Sequence, residues 1–111
     1  MITLDQQGGL WKITLNRPEK ANALTAAMLR ELAEIAEAAQ QARGLIITGA
    51  GGVFSAGGDL DEMADGLATS EVWERLSTAI AAVPGLSIAA LNGTLAGGAR
   101  GMALACDIRL A

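Results

Sequence analysis

Residues 45–62 read Leu-Ile-Ile-Thr-Gly-Ala-Gly-Gly-Val-Phe-Ser-Ala-Gly-Gly-Asp-Leu-Asp-Glu, and this stretch determines the fold class. It begins with a short apolar run at 45–48, which is typical of a strand buried on both faces. A glycine-rich loop follows over 49–58, and Asp59 with Glu62 three residues later resembles a capping box at a helix start. A strand, a glycine-rich loop and a helix in this order favour an α/β fold with parallel strands.

The residues before this stretch predict a hairpin and a helix. Residues 2–6 and 10–15 alternate as strands do, and Gly8-Gly9 supplies a tight turn. From Thr25, a plausible N-cap, the apolar period becomes helical, and Arg43-Gly44 is a plausible stop. The predicted inward face of this helix carries Met28, Leu32, Ile35 and Ala39.

The residues after this stretch repeat the alternation of helix and strand. We predict a helix over 70–83 that ends at Pro84-Gly85 and places Trp73 in the core. A buried strand over 86–91, a helix from about Gly98 and a strand over 107–111 complete the pattern. Because a domain rarely stops inside a strand, we expect residues 1–111 to be the N-terminal portion of one longer domain.

Composition excludes several classes of function. The chain has 111 residues, a net charge of −4 and no basic cluster, so a nucleic-acid partner is not expected. One cysteine and no histidine exclude a disulfide, a zinc cage and a Ser-His triad within the chain, and no metal site is predicted. Cys106 is interpreted as a buried thiol of a reducing compartment.

Neither a signal peptide nor a membrane span is predicted. The N-terminus lacks a basic region followed by an apolar one. No charge occurs between Arg75 and Arg100, but Pro84-Gly85 and Asn92-Gly93 interrupt that stretch before it reaches the roughly 20 apolar residues of a span. We therefore expect a soluble, cytoplasmic protein.

A second glycine-rich loop, Gly97-Gly98-Ala99-Arg100-Gly101, also leads into a helix. No side chain stands there to cap the helix, so its N–H groups are free for a developing anion. Two such N–H groups converging on one carbonyl oxygen would form an oxyanion hole. Small residues at a helix start also serve close packing, and that reading stays open. Neither loop has the P-loop or dinucleotide-binding pattern, which leaves a nucleotide-binding α/β module as a weaker alternative.

Three motifs in order resemble the enoyl-CoA hydratase/isomerase (crotonase) family. Residues 16–24, Asn-Arg-Pro-Glu-Lys-Ala-Asn-Ala-Leu, resemble its N-terminal CoA-binding segment. Residues 54–60, Phe-Ser-Ala-Gly-Gly-Asp-Leu, resemble its first oxyanion loop. Asn92-Gly93, Gly97-Gly98 and residues 103–107, Ala-Leu-Ala-Cys-Asp, resemble its second.

The resemblance implies a spiral of ββα units, incomplete at its C-terminus, that binds an acyl-CoA thioester as substrate and uses no cofactor. The N–H groups of Gly58 and Gly98 would donate to the thioester oxygen and stabilise an enolate. Ala21, Ala23 and Ala56, through their carbonyls, and Gly58 and Leu60 would bind the CoA thioester. The whole protein would be a homotrimer or hexamer, assembled through a C-terminal region that these residues do not include.

One position departs from the family pattern. Hydratases of the family carry a catalytic Glu in the second loop, and Gly101 stands at that position. The resemblance puts a second catalytic carboxylate beyond Ala111. We therefore expect an isomerase or a hydratase-like enzyme, and a non-catalytic acyl-CoA-binding pseudoenzyme or an inactive fragment is the alternative. Arg100, next to Gly101, is interpreted as a solvated surface residue. No sequence pattern indicates which acyl chain the protein prefers.

Overall fold

The computed structural model describes all 111 residues. Its strands and helices alternate along the chain as the sequence predicts. In chain order they are β1 Ile2–Gln7, β2 Leu10–Leu15, α1 Ala26–Ala38, β3 Gly44–Gly49, β4 Val53–Ser55, α2 Leu60–Ala64, α3 Val72–Ala81, β5 Leu86–Ala90, β6 Thr94–Leu95, α4 Ala99–Ala105 and β7 Ile108–Leu110. Two single turns of 3-10 helix, Pro18–Lys20 and Leu67–Thr69, lie between them.

Five strands form the main sheet in the order β1-β2-β3-β5-β7. The first two are the predicted antiparallel hairpin, and Gly8 turns it with a φ of +61°. The other neighbours are parallel, with Trp11 opposite Leu45 and Ile47 opposite Ala89. Parallel neighbours require crossovers, which contain α1, α3 and α4 in turn. The predicted α/β fold with parallel pairing is confirmed.

The core lies between the sheet and these helices. Alternate residues of β3, Leu45 and Ile47, are buried against the helical layer, where Leu32 of α1 and Leu76 of α3 are also buried. Burying one such side chain stabilises a fold by about 1.5–3 kcal/mol. The predicted inward face of α1 is confirmed, except that Ile35 is only half-buried. The core therefore holds the strand ends in place, and the glycine-rich loops leave from those ends.

A second, two-stranded sheet was not predicted. The glycine-rich loop 49–58 contains β4, which pairs in parallel with β6. Strands of three and two residues are too short for an alternating pattern to reveal. Phe54 in β4 is fully buried and anchors the loop to the core. The small sheet thus ties the first glycine-rich loop to the chain that leads into the second.

No helix of this protein is both long and apolar enough to cross a membrane.

Candidate functional site

The segment 16–24 and the first glycine-rich loop are joined by backbone hydrogen bonds. Ala56 N–H donates to the Ala21 carbonyl at 3.0 Å, and Leu24 N–H donates to the Gly57 carbonyl at 2.7 Å. Asp59 N–H in turn donates to the Leu24 carbonyl at 2.8 Å. The two motifs that lie far apart in sequence therefore form one rigid backbone unit around Gly58.

Asn22 supports this unit from inside and was not predicted to have a role. Its side chain is fully buried, and its Oδ1 accepts from Arg17 N–H at 2.8 Å. Its Nδ2 donates to the carbonyls of Ala50 at 2.9 Å and Val53 at 2.8 Å. Asn22 has a φ of +54°, a region that Asn tolerates better than most residues. This tolerance is the signal that the sequence offered.

Ser55 is a second buried polar residue that sequence reasoning missed. Its hydroxyl donates to the Asn22 carbonyl at 2.8 Å and accepts from Gly57 N–H at 3.1 Å. The Ser55 hydroxyl thus has both an acceptor and a donor as partners, as buried polar groups generally do. The pairing fixes the backbone at Gly57, immediately before the candidate donor Gly58.

An ion pair holds the start of α2. Arg17 Nη1 lies 2.9 Å from Asp59 Oδ2 and also donates to the Ala23 carbonyl at 3.1 Å. Asp59 caps α2 as predicted, because its Oδ1 accepts from Glu62 N–H at 3.1 Å. That hydrogen bond, and then the Arg17 side chain, lower the pKa of the Asp59 carboxyl. Asp59 is therefore a structural anion rather than a free acid or base.

The predicted capping-box variant at α2 is wrong in its second half. In a capping box the Glu62 side chain would bind Asp59 N–H. Asp59 N–H is instead taken by the Leu24 carbonyl, and Glu62 Oε1 accepts from Ala26 N–H at 2.8 Å. Ala26 is the first residue of α1. Glu62 therefore satisfies the start of a different helix and links α2 to α1.

A cavity of about 450 Å³ opens beside this unit. Its lining consists of Lys20, Ala23, Ala56, Gly58, Asp59, Leu60 and Asp61. Four of the five residues predicted to bind the CoA thioester are among them. Ala21 is not among them, and its carbonyl accepts from Ala56 N–H. The Ala56 carbonyl accepts no hydrogen bond within the chain, and the Leu60 side chain is 86% exposed.

The two candidate donor loops lie against each other. A Cβ placed on Gly57 would lie 3.2 Å from the Gly97 Cα and 3.5 Å from the Gly98 nitrogen. Both Gly57 and Gly97 have a positive φ, +101° and +58°, so glycine is required by conformation as well as by space. Neither Gly58 N–H nor Gly98 N–H donates to any acceptor in the chain. The structure thus brings the two predicted donors onto adjoining backbone segments and leaves both unpaired.

Gly98 lines a second cavity, of about 320 Å³. The other lining residues are Met63, Ala68, Thr69, Ser70, Glu71, Trp73 and Glu74. Trp73, predicted to be a core residue, is only half-buried, and its Nε1 donates to the Leu67 carbonyl at 2.9 Å. The cavity therefore combines one candidate donor, an aromatic wall and two carboxylates.

Gly101, the position at which the family resemblance expects a glutamate, has room for a side chain. Gly101 is exposed in α4, and a Cβ placed there would lie 3.7 Å from the Ser77 hydroxyl oxygen, which is an ordinary contact. Arg100 is exposed as expected. Cys106 is only 4% exposed, and burial raises the pKa of its thiol to about 11, in agreement with an inert buried thiol. No group of three or more metal-ligating side chains lies together.

Comparison with known proteins gives a consistent result. The sequence pattern of the family Enoyl-CoA hydratase/isomerase matches residues 5–111. The chain is 44% identical over 109 residues to a probable enoyl-CoA hydratase from Rhodobacter capsulatus, covering 93% of this chain and 42% of that protein. It is 42% identical over 108 residues to the putative enoyl-CoA hydratase/isomerase YngF of Bacillus subtilis, covering 89% and 42%. The crystal structure of enoyl-CoA hydratase from Bacillus anthracis is 36% identical with a TM-score of 0.83, covering 97% and 46%.

The superposition on a solved enoyl-CoA hydratase over 97% of the chain shows that this is a crotonase-fold protein. The chain belongs to the enoyl-CoA hydratase/isomerase family. This membership leaves the nucleotide-binding module without support. The chain spans less than half the length of these relatives, 42% of the first two and 46% of the solved structure.

Proposed function

We propose that this chain forms the thioester-binding part of an acyl-CoA enzyme, in which Gly58 N–H and Gly98 N–H stabilise a thioester enolate. One observation carries the proposal. Two N–H groups without acceptors lie on adjoining glycine loops. The Asn22 and Ser55 side chains fix the backbone of the first loop, and Ala96 N–H, just before Gly97, donates to the Ser55 carbonyl at 3.0 Å. Preorganised donors of this kind stabilise the charge that develops on a carbonyl oxygen, because they need no reorganisation during the reaction.

The larger cavity is proposed to hold the coenzyme A part of the substrate. Ala56 offers an unpaired carbonyl there, Ala23 and Leu60 contribute apolar surface, and Lys20 contributes the cation that a phosphate group needs. The Ala21 carbonyl already accepts one hydrogen bond, but a carbonyl oxygen has two lone pairs and can accept a second. Coenzyme A enters as part of the substrate, and the proposed chemistry uses no other cofactor.

The proposed reaction is a proton transfer next to the thioester carbonyl, with isomerisation favoured over hydration. Hydration needs two acid–base groups, one for the water and one for the carbon, whereas moving a double bond needs one. Gly101 supplies no such group. Glu71 and Glu74 line the cavity that contains Gly98, and we take them as the candidate carboxylates for a single proton transfer.

The direct test is exchange of the α-protons of a saturated acyl-CoA into deuterated water by the whole protein. Enolate formation exchanges these protons whichever reaction follows, so the measurement does not depend on the reaction type. We expect exchange with the wild-type protein and a loss of at least tenfold in a Glu71→Gln/Glu74→Gln double variant, on the scale of general acid–base effects. Binding of the acyl-CoA without exchange would instead establish the non-catalytic acyl-CoA-binding protein, which the glycine at position 101 favours.

The whole protein is further proposed to be a cytoplasmic homotrimer or hexamer. The family resemblance supports the assembly, and the single buried cysteine, typical of a reducing compartment, supports the location. Light scattering of the purified whole protein measures the assembly directly, and a monomeric mass would contradict it.

A further inference from the structure

Trp73 lies against both candidate donor residues. A Cβ placed on Gly98 would lie 2.7 Å from Cζ3 and 2.8 Å from Cη2 of its indole, and one placed on Gly58 would lie 3.2 Å from Cζ2. These are neighbouring atoms of the six-membered ring. One edge of one aromatic ring therefore covers the two residues whose N–H groups are unpaired.

The orientation of this ring is fixed. Its Nε1 donates to the Leu67 carbonyl at 2.9 Å, and α3 holds its backbone. Met63 of α2 fills the space next to it, since a Cβ on Gly58 would also lie 2.5 Å from the Met63 sulfur. Thioether and aromatic groups pack well together. The pair forms a wall at the donors rather than a mobile flap.

Met63 and Trp73 line one of the two cavities and lie against Gly58, which lines the other. Gly58 lines the larger cavity, and Gly98 lines the smaller one together with Met63 and Trp73. An acyl group whose carbonyl oxygen receives both N–H groups must place its next carbons beside the indole edge. Because Trp73 lies against Gly58 and Gly98 and Met63 lies against Gly58, the two side chains limit the space that an acyl chain has beside the donors.

We propose that Trp73, with Met63 behind it, determines acyl specificity by admitting short acyl groups beside the donors and excluding longer ones. The inference rests on the proposed function of Gly58 and Gly98. It adds a residue and a substrate class, namely thioesters of short acyl groups that fit against an aromatic edge. Replacing the indole by a small side chain enlarges the space beside the donors and lengthens the accepted chain.

The test compares the dissociation constants of butyryl-CoA and octanoyl-CoA for the whole protein. We expect the wild-type protein to prefer butyryl-CoA by about tenfold or more, the scale on which apolar pockets discriminate small differences in chain length. Trp73→Ala is expected to lose or reverse this preference. Trp73→Phe, which keeps a six-membered ring and is the safer variant for folding, is expected to retain most of it.

Trp11→Ala is the matched control, because it removes the other indole at the amino end of β2, opposite Leu45. It is expected to leave the preference unchanged. An unchanged preference in folded Trp73→Ala, or in Met63→Ala if that variant folds better, overturns the inference and leaves the proposed function standing. If the wild-type protein binds neither thioester, the proposed function itself fails and the inference fails with it.

Discussion

A substitution at Gly98 would change two features of this position. Glycine leaves room for the Trp73 ring, and the Gly98 N–H has no acceptor in the chain. Proline at this position deletes the N–H, and the φ of −62° at Gly98 suits a proline. Proline also adds a Cβ, which would press on Trp73. The effect of the lost donor must therefore be separated from the effect of the added carbon.

The first prediction compares Gly98→Pro with Gly98→Ala in the whole protein. Both variants add a Cβ, but alanine keeps the N–H. We expect Gly98→Pro to fall below Gly98→Ala by about 3 kcal/mol of transition-state stabilisation, the cost of one oxyanion donor. The measurement is kcat/KM, or the rate of α-proton exchange, with folding checked by circular dichroism. Equal rates in the two variants would show that Gly98 N–H is not a donor in the reaction.

Asn22 shows what residue-level reasoning could not reach. The glycines were recognisable because loops that approach a ligand or another backbone select for them, whereas an asparagine between two alanines has no such pattern. Its three side-chain hydrogen bonds depend on Arg17, Ala50 and Val53, whose positions only the folded chain defines. Polar partners distant in sequence are set by tertiary structure, so the sequence alone did not predict them.

The second prediction is that Asn22→Gly lowers the free energy of unfolding of the whole protein by about 2 kcal/mol or more. Glycine accepts the positive φ, so the loss comes from the hydrogen bonds of the buried amide, chiefly from leaving Arg17 N–H and the Ala50 carbonyl without it, at about 1–3 kcal/mol each. Asn92→Gly is the control, because Asn92 makes comparable amide hydrogen bonds to Gly49 N–H and the Gly51 carbonyl while exposed to solvent. Denaturant unfolding measures both. Equal losses would contradict a special role for the buried amide.

At the scale of elements, the main sheet and its helices were predictable and the small sheet was not. Periodicity reports on six-residue strands and on α1, which has thirteen residues. Periodicity cannot identify β4 and β6, because these strands have only three and two residues. Glu62 illustrates the same limit for capping, because the local motif pointed to Asp59 N–H while the nearby start of α1 offered Ala26 N–H. Local patterns identify a capping side chain, but tertiary packing selects its partner.

The residues of the candidate site also divide into those that the sequence identified and those that only the folded chain reveals. The resemblance to the family identified Gly58, Gly98, Ala23, Ala56 and Leu60 as candidate site residues. They could be identified because glycine-rich loops are easy to recognise in a sequence. Trp73 was expected in the core from its helical spacing. The spacing correctly puts it on the inner side of α3, but only the approach of both glycine loops reveals that its ring edge faces them.

At the scale of the whole molecule, one face of the main sheet has no helical cover. The row Ile46, Ile88 and Ile108 runs across three neighbouring strands on the side opposite Leu45 and Ile47. Leu10, Leu86 and Leu110 are 46%, 45% and 56% exposed. Parallel sheets are normally covered on both faces. An uncovered apolar face of this kind promotes association.

The third prediction is that the 111-residue chain on its own self-associates through this face. The double variant Ile46→Thr/Ile88→Thr keeps β-branched side chains while reducing apolar area, so it should shift the chain toward monomer. Leu104→Thr is the control, since Leu104 is 66% exposed on α4, outside the sheet. Size-exclusion chromatography with light scattering measures the mass. A wild-type chain that stays monomeric at all concentrations would contradict the prediction.

The reaction type is a property of the whole protein, and Gly101 bears on it most directly. We expect the whole protein to hydrate a short 2-enoyl-CoA poorly compared with its isomerisation of a 3-enoyl-CoA, because two carboxylates suit hydration and the second loop supplies none. The structure permits a side chain at this position, since a Cβ on Gly101 makes only an ordinary contact with the Ser77 hydroxyl. Gly101→Glu is therefore a substitution that tests chemistry without overpacking.

The fourth prediction is that Gly101→Glu raises hydration by about 10²–10⁴-fold, the range of general acid–base catalysis, provided that the rest of the protein supplies the second carboxylate. Gly101→Gln is the matched control, because it has the same shape and no titratable proton at neutral pH. A gain with Glu and none with Gln assigns the effect to the carboxylate. Fast hydration by the wild-type protein would contradict the argument from Gly101. Loss of that hydration in Glu71→Gln or Glu74→Gln would then show which carboxylate acts as the acid–base group. No gain in Gly101→Glu, together with no α-proton exchange in the wild-type protein, would mean that the family's binding site is present here without its catalysis.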